Sequence, residues 1–176
     1  MKLAASLMLV GCIAVSFGLS TRGQDDSTVK KDDAAVKRAK REARMLDDIY
    51  KNGIVLITKH YVNEESDLAA GEAFKKLFEA AEKNGWHKVR LLDATGEPYN
   101  DENSPKDKFE KAAVKALVGG KPLFDEIVKV KGKRFLRRAT AVPVVMKKCV
   151  MCHDHYEDVK EGQAIGALSY TIPILD

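Results

Sequence analysis

Apolar residues recur at steps of three and four between Ala34 and Val62, which is the spacing of one face of an α-helix. The sequence therefore predicts a long N-terminal helix, with an inward face of Ala39, Ala43, Leu46, Tyr50, Gly53, Ile57 and Tyr61. A second helix is predicted from about Asp67 to Lys83, after a cap at Ser66 and before a stop at Asn84–Gly85. Its predicted inward residues are Leu68, Phe74, Leu77, Phe78 and Ala81.

A third helix is predicted after Ser104–Pro105, because proline fits the first helical position, where its missing N–H costs nothing. Gly119–Gly120 is the predicted end of this helix. Its buried face is predicted to consist of Phe109, Ala112, Ala113, Ala116 and Leu117.

Strand-like segments occupy most of the remaining second half of the chain. His87–Leu92 leads into a turn at Asp93–Gly96, and Ile165–Ile174 forms a last β-rich segment. Between them, Lys131-Gly132-Lys133 is a hairpin signal that joins the predicted strands Phe124–Val130 and Phe135–Val145. Helices followed by strands with one helix among them predict an α+β domain, and hairpin-length connections require an antiparallel sheet.

The first 23 residues are typical of a secretory leader. Lys2 supplies a positive start, and Leu3–Leu19 is apolar or small throughout. We therefore expect a signal peptide over residues 1–23, a disordered segment over 24–33 and one folded domain over 34–176. Leu9-Val10-Gly11-Cys12 also resembles a lipobox, in which the cysteine is lipidated. The protein would be attached to a membrane either through a lipidated Cys12 or through an uncleaved leader.

Charge argues against a nucleic-acid partner. The formal net charge of +4 includes Lys2 and Arg22 of the predicted leader, and the remaining Lys and Arg are interleaved with Asp and Glu. No basic stripe with stacking aromatic residues is present in the sequence.

The segment with the clearest chemistry is Cys149-Val150-Met151-Cys152-His153, a C-x-x-C-H pattern. This is the attachment pattern of c-type haem: two thiols three residues apart bond the porphyrin edge, and the following imidazole binds iron. The pattern predicts covalent haem at Cys149 and Cys152, with His153 as the proximal ligand. A zinc site, a redox-active C-x-x-C and a structural disulfide remain alternatives.

Several further segments, in a fixed order, extend this pattern over most of the mature chain. They are Gly96–Asn100, Phe109–Glu110, Ala113–Leu117, Phe135–Ala139, Val142–Cys149, Gly162 and Ile165–Ile174. Their order resembles the family of single-haem c-type domains with a PAS-like fold, found alone or as extracytoplasmic sensor portions of signalling proteins. The resemblance implies a PAS-like antiparallel sheet with a long N-terminal helix and flanking helices.

The second axial ligand is left open by the sequence. Members of that family can use a cysteine from the N-terminal helical region, which this mature chain lacks. His60 follows Gly53 and Leu56 at helical steps, so it is either a distal ligand or a core histidine. Met146 is either a thioether ligand or core packing at a strand end.

Three other side chains near these candidates are less suited to the sixth position. Met151 lies inside the attachment segment, and His155 is tied to the proximal side. His87, at a strand edge, is predicted to be solvated.

These observations predict an exported haem protein, periplasmic or otherwise extracytoplasmic. We expect it to transfer electrons or to sense redox state together with a partner protein. One haem site without a separate nucleophile or base favours a non-enzymatic role. The alternatives are a small-gas sensor, a peroxidase-like enzyme, and a zinc-stabilised structural domain.

Overall fold

The computed structural model describes residues 33–64 and 67–175. The predicted leader, Cys12 and the helix cap Ser66 lie outside these residues, as does the predicted disordered segment except for its last member. That member, Asp33, caps the first helix: its Oδ1 accepts from the Val36 N–H at 2.8 Å. None of the helices in the described ranges combines the length and apolar character that a membrane crossing requires.

The first helix, α1 (Ala34–His60), is the long N-terminal helix that the periodicity predicts. Its inward face buries Ala35, Val36, Ala39, Ala43 and Tyr50, and Leu46, Ile54 and Ile57 pack against the same core. The expectation that Tyr61 belongs to this face is wrong. The helix ends one residue earlier and the Tyr61 side chain is 75% exposed.

The second helix, α2 (Ala70–Lys83), packs on α1 through Phe74 and Phe78, whose rings meet Tyr50 edge to face. The predicted inward positions Leu68 and Leu77 are wrong, since both are exposed. Leu68 precedes the helix, and the buried stripe at Ala70, Phe74 and Phe78 runs at steps of four, which leaves Leu77 to one side.

Four strands form one antiparallel sheet in the order β1-β4-β3-β2. They are β1 (Lys88–Asp93), β2 (Leu123–Val130), β3 (Lys133–Pro143) and β4 (Ala164–Pro173). The predicted hairpin is confirmed: Lys131 and Gly132, with φ of 49° and 80°, form the two-residue turn between β2 and β3. The α+β class, with its antiparallel sheet, long N-terminal helix and flanking helices, is therefore confirmed.

The two faces of the sheet are covered by different helices. Helices α1 and α2 pack over Val89, Leu136, Leu168, Tyr170 and Ile172. The opposite face is covered by α3 (Lys108–Val118), which packs Phe109, Ala113 and Leu117 against Leu92, Ala139 and Ala167.

Helix α3 begins later than the sequence suggests. Asp107, not Ser104–Pro105, is its N-cap, and Asp107 Oδ1 accepts from the Glu110 N–H at 2.8 Å. Ala112 is exposed and not part of the buried face, whereas Glu110 is buried there.

Candidate functional site

The C-x-x-C-H segment forms a short helix directly after β3. Helix α4 (Lys147–Cys152) starts after Met146, whose carbonyl accepts from the Cys149 N–H at 3.1 Å. Cys149 and Cys152 are three residues apart on this helix and so share one face. Both are free thiols and half-buried. His153 follows Cys152 directly as the C-cap of this helix, with φ −137° and ψ 72°.

The His153 imidazole stacks on two tyrosine rings. Its centroid lies 4.8 Å from that of Tyr99 and 4.6 Å from that of Tyr156, with interplanar angles of 23° and 16°. His155 packs against Tyr156 and approaches both His153 and Tyr99. Nδ1 of His153 is buried and has no hydrogen-bond partner among the described residues. The imidazole is therefore held by ring contacts.

The surroundings of His153 favour its neutral form. Burial lowers the pKa of His153, and the neighbouring His155 lowers it further. Burial also raises the pKa of Tyr156 to about 12, with Asp93 adding to the effect. A neutral imidazole is the form that binds a metal ion.

Tyr99 reaches this site from a distant segment. It lies in the loop after β1, and its hydroxyl donates to Asp154 Oδ1 at 3.0 Å. That hydrogen bond is the main reason why the pKa of Asp154 is lowered. Asp154 Oδ1 also accepts from the His155 N–H at 2.9 Å. The loop after β1 is thus bound to the residues that follow the cysteine pair.

The end of α1 also lies beside α4. Lys148 Nζ donates to the carbonyl of Lys59 at 3.1 Å and to that of Val62, so its ammonium group satisfies carbonyls at the helix end. Further along α1, Lys51 Nζ donates to the Ala141 carbonyl of β3 at 2.8 Å. Two lysines therefore connect the long helix with the segment that leads into the thiol pair.

The second-ligand candidates occupy different positions. His60 is exposed in the last turn of α1, so the interpretation of His60 as a core histidine is wrong. Met146 is half-buried at the start of α4, and Met151 is half-buried within it. His155 lies next to His153, with 5.8 Å between their ring centroids. The expectation of a solvated His87 is wrong, because His87 is half-buried and its Nε2 lies 2.8 Å from the Tyr50 hydroxyl.

Sequence reasoning found the cysteines and the histidine but missed both tyrosines. Tyr156 lies three residues after His153, a spacing that could have suggested contact in a turn. Tyr99 is 54 residues away, and only the topology brings its loop to this edge of the sheet.

The residues present fit a covalently attached haem. The two half-buried thiols on one helix face match the donors that thioether bonds require, and the surroundings of the adjacent imidazole favour the neutral form that binds iron. Within residues 33–64 and 67–175, no three His, Cys, Asp or Glu side chains are grouped closely enough to hold a metal ion. A structural zinc site needs four such ligands, so this part of the chain does not support the zinc alternative.

Comparisons with known proteins agree with this fold. The crystal structure of the cyanobacterial haem-protein Tll0287 is similar, with a TM-score of 0.58 and 14% sequence identity, over 79% of this chain and 97% of that one. No curated protein matches the sequence. The profile of the Tll0287-like family matches residues 28–173. The chain belongs to the Tll0287-like family.

Proposed function

We propose that this chain is an exported c-type haem protein that transfers electrons or senses redox state through one covalently attached haem. The observation that carries the proposal is the thiol pair Cys149 and Cys152 on one helix face, followed at once by the stacked imidazole of His153. The similarity to a solved haem-protein and the match to its family support the same cofactor.

Each residue of the site has a defined task in this proposal. Cys149 and Cys152 would attach the haem through thioether bonds, and His153 would bind its iron as the proximal ligand. When bound, haem supplies reversible one-electron chemistry. Two tyrosine rings stack on His153, and the groups that contact an iron ligand are one of the means by which a protein sets a haem potential.

Two residues are candidates for the second axial ligand. His60 lies in the last turn of α1, where Lys148 donates to two carbonyls. Because Lys148 is the residue before Cys149, these hydrogen bonds support an approach of this turn to the attachment helix. Met146 lies at the start of α4 itself. We favour His60, because α1 is a separate element, whereas Met146 immediately precedes the short helix that carries the thiols.

Replacing His60 with Ala tests this ligand. We expect the spectrum of the haem-loaded protein to change from low-spin and six-coordinate toward high-spin, because an imidazole ligand is lost. Lys59→Ala is the matched control, since Lys59 is exposed in the same turn and only its carbonyl contacts Lys148. A low-spin spectrum that persists in His60→Ala and is lost in Met146→Ala would assign the sixth position to Met146 instead.

Two axial protein ligands support electron transfer or redox sensing over gas binding or peroxidase chemistry, which need an exchangeable position. The PAS-like resemblance supports sensing, in which a second polypeptide receives the signal. The leader predicted over residues 1–23 supports export to the periplasm or another extracytoplasmic space, where c-type haem is attached. Membrane attachment would require a lipidated Cys12 or an uncleaved leader.

Absorption spectroscopy separates these functions. The full chain is produced together with c-type maturation machinery, and its spectrum is recorded before and after acid–acetone extraction. The proposal predicts sharp Soret and α bands that survive extraction and do not change with carbon monoxide. A strong carbon monoxide response would favour the gas-binding or peroxidase alternatives, and bound zinc without haem bands would overturn the proposal.

A further inference from the structure

Tyr99 connects the loop after β1 with the histidine of the attachment segment. Its ring stacks on the His153 imidazole at 4.8 Å between centroids, and its hydroxyl is bound to the Asp154 carboxylate at 3.0 Å. It also touches His155, with 5.2 Å between ring centroids. The Tyr99 side chain, which comes from the loop after β1, is therefore in contact with three consecutive residues, 153–155, of the attachment segment.

Tyr99 makes these contacts although most of its side chain is exposed to solvent. The Tyr99 side chain is 66% exposed, so burial of its ring contributes little to the stability of the core. An exposed tyrosine has several χ1 rotamers available, and an ordered one loses that freedom. The stack and the hydrogen bond instead give Tyr99 a defined position over the imidazole.

The other ring on His153 has a different origin. Tyr156 is three residues further along the same segment and is half-buried. Its stack on the imidazole is therefore a contact within the attachment segment. Tyr99 instead comes from a loop that continues directly from β1, which is paired along its length with β4, so its stack connects the imidazole with the sheet.

From this geometry we propose that Tyr99 is a positioning residue that sets the orientation of the His153 imidazole as an axial ligand of haem iron, with Asp154 as its anchor. The inference rests on the proposed haem function. The tyrosine acts through the imidazole and does not itself bind iron. The plane of an axial imidazole affects how electron density is distributed over the haem, which spectroscopy can measure without any assay of activity.

Two substitutions separate the ring contact from the hydrogen bond. Tyr99→Leu removes the aromatic ring, and Tyr99→Phe keeps the ring but removes the hydroxyl that donates to Asp154. Because Tyr99 is exposed, both variants should fold, which far-UV circular dichroism and the thermal midpoint check. Asp154→Asn provides a third variant that keeps Tyr99 and weakens its anchor.

The first measurement uses the oxidised, haem-loaded protein. Proton NMR of the haem methyl groups reports the orientation of the axial imidazole. We expect Tyr99→Leu to change the pattern of methyl shifts, Tyr99→Phe to retain it, and Asp154→Asn to give a pattern between the two. We also expect acid to release His153 from iron about twofold to thirteenfold more readily in Tyr99→Leu, the range that one aromatic pair contributes.

The second measurement uses the haem-free protein, in which the ring protons of His153 should carry upfield ring-current shifts. Tyr99→Leu should reduce these shifts and Tyr99→Phe should restore them. Haem-methyl shifts and acid release that are the same in Tyr99→Leu as in the wild type would overturn the inference while leaving the haem function intact. A wild-type protein without covalent haem would instead overturn the proposed function on which the inference rests.

Discussion

Glu110 is the most buried acidic side chain of the described residues, at 3% exposure. It accepts a hydrogen bond from Arg90 Nη1 and another from the Lys106 N–H, and Arg137 Nη2 lies 3.8 Å from its second oxygen. The Arg137 guanidinium also lies over the Phe109 ring, 4.3 Å from the centroid. This network joins α3 to the sheet on the face that α1 and α2 do not cover.

Replacing Glu110 with Gln should therefore destabilise the fold strongly. Loss of the carboxylate removes the ion pair with the half-buried Arg90, while Arg137 keeps its pair with Asp107, so the change costs about 1.5–3 kcal/mol of unfolding free energy. Glu79→Gln is the matched control, because the Lys76–Glu79 pair is exposed on both sides and contributes about 0–1 kcal/mol. Urea unfolding measures both variants. Equal losses in the two would contradict a structural role for Glu110.

The partial burial of His87 should make the stability of the fold depend on pH. Burial lowers the pKa of His87, whose Nε2 meets the Tyr50 hydroxyl, so the folded protein binds a proton less readily than the unfolded chain does. Above pH of about 6.5 the histidine is neutral in both states and contributes nothing. Below that pH the unfolded state binds more protons, so the unfolding free energy should fall as the pH falls.

Urea unfolding at about pH 5 and about pH 7.5 measures this dependence, and His87→Gln should flatten it. The pKa of His153 shifts in the same direction, so the relevant quantity is the difference between the variant and the wild type at both pH values. An identical loss of stability in His87→Gln would show that His87 does not cause it.

At the scale of elements, the attachment helix α4 is bound to the end of α1 by one side chain. Lys148 Nζ donates to two carbonyls there, and a cation at a helix C-terminus also interacts favourably with the helix dipole. Asp67 adds to the junction, since its carboxylate accepts from the N–H groups of Asn63 and Glu64 just beyond the helix. The turn that carries His60 is thereby held near the thiol pair.

Replacing Lys148 with Met should release this junction. We expect amide hydrogen exchange in the last turn of α1 to rise about tenfold, because the lost contacts are hydrogen bonds from a charged donor. Lys147→Met is the matched control, since Lys147 is the exposed neighbouring lysine and makes no such contact within the described residues. Similar exchange in both variants would exclude Lys148 as the connection.

The elements were predicted best where local chemistry decides them. The Lys131–Gly132 turn and the long α1 follow from residues that are adjacent in sequence or one turn apart. Helix starts were less accurate, because both Ser104 and Asp107 are good caps and the packing of Phe109 selects the second. The pairs Tyr50–His87 and Tyr99–His153 join separate elements, and sequence periodicity contains no information on such contacts.

At the scale of the whole molecule, the segments that form the candidate site meet at one edge of the fold. The loop after β1 supplies Tyr99, the segment after β3 supplies the thiols and His153, and the end of α1 lies against Lys148. The C-x-x-C-H pattern alone identified the centre of this site, because its spacing is a local property. Its surroundings depend on the order of strands in the sheet, which brings β1 and β3 to either side of β4.

The most direct test of the account is whether haem remains with the denatured polypeptide. The full chain and the double variant Cys149→Ala/Cys152→Ala are produced with c-type maturation machinery, separated on a denaturing gel and stained for haem. Cys12→Ala serves as the cysteine control, since Cys12 lies in the predicted leader. We expect haem stain at the position of the wild type and of Cys12→Ala and none with the double variant. A wild-type band without haem stain would contradict the account.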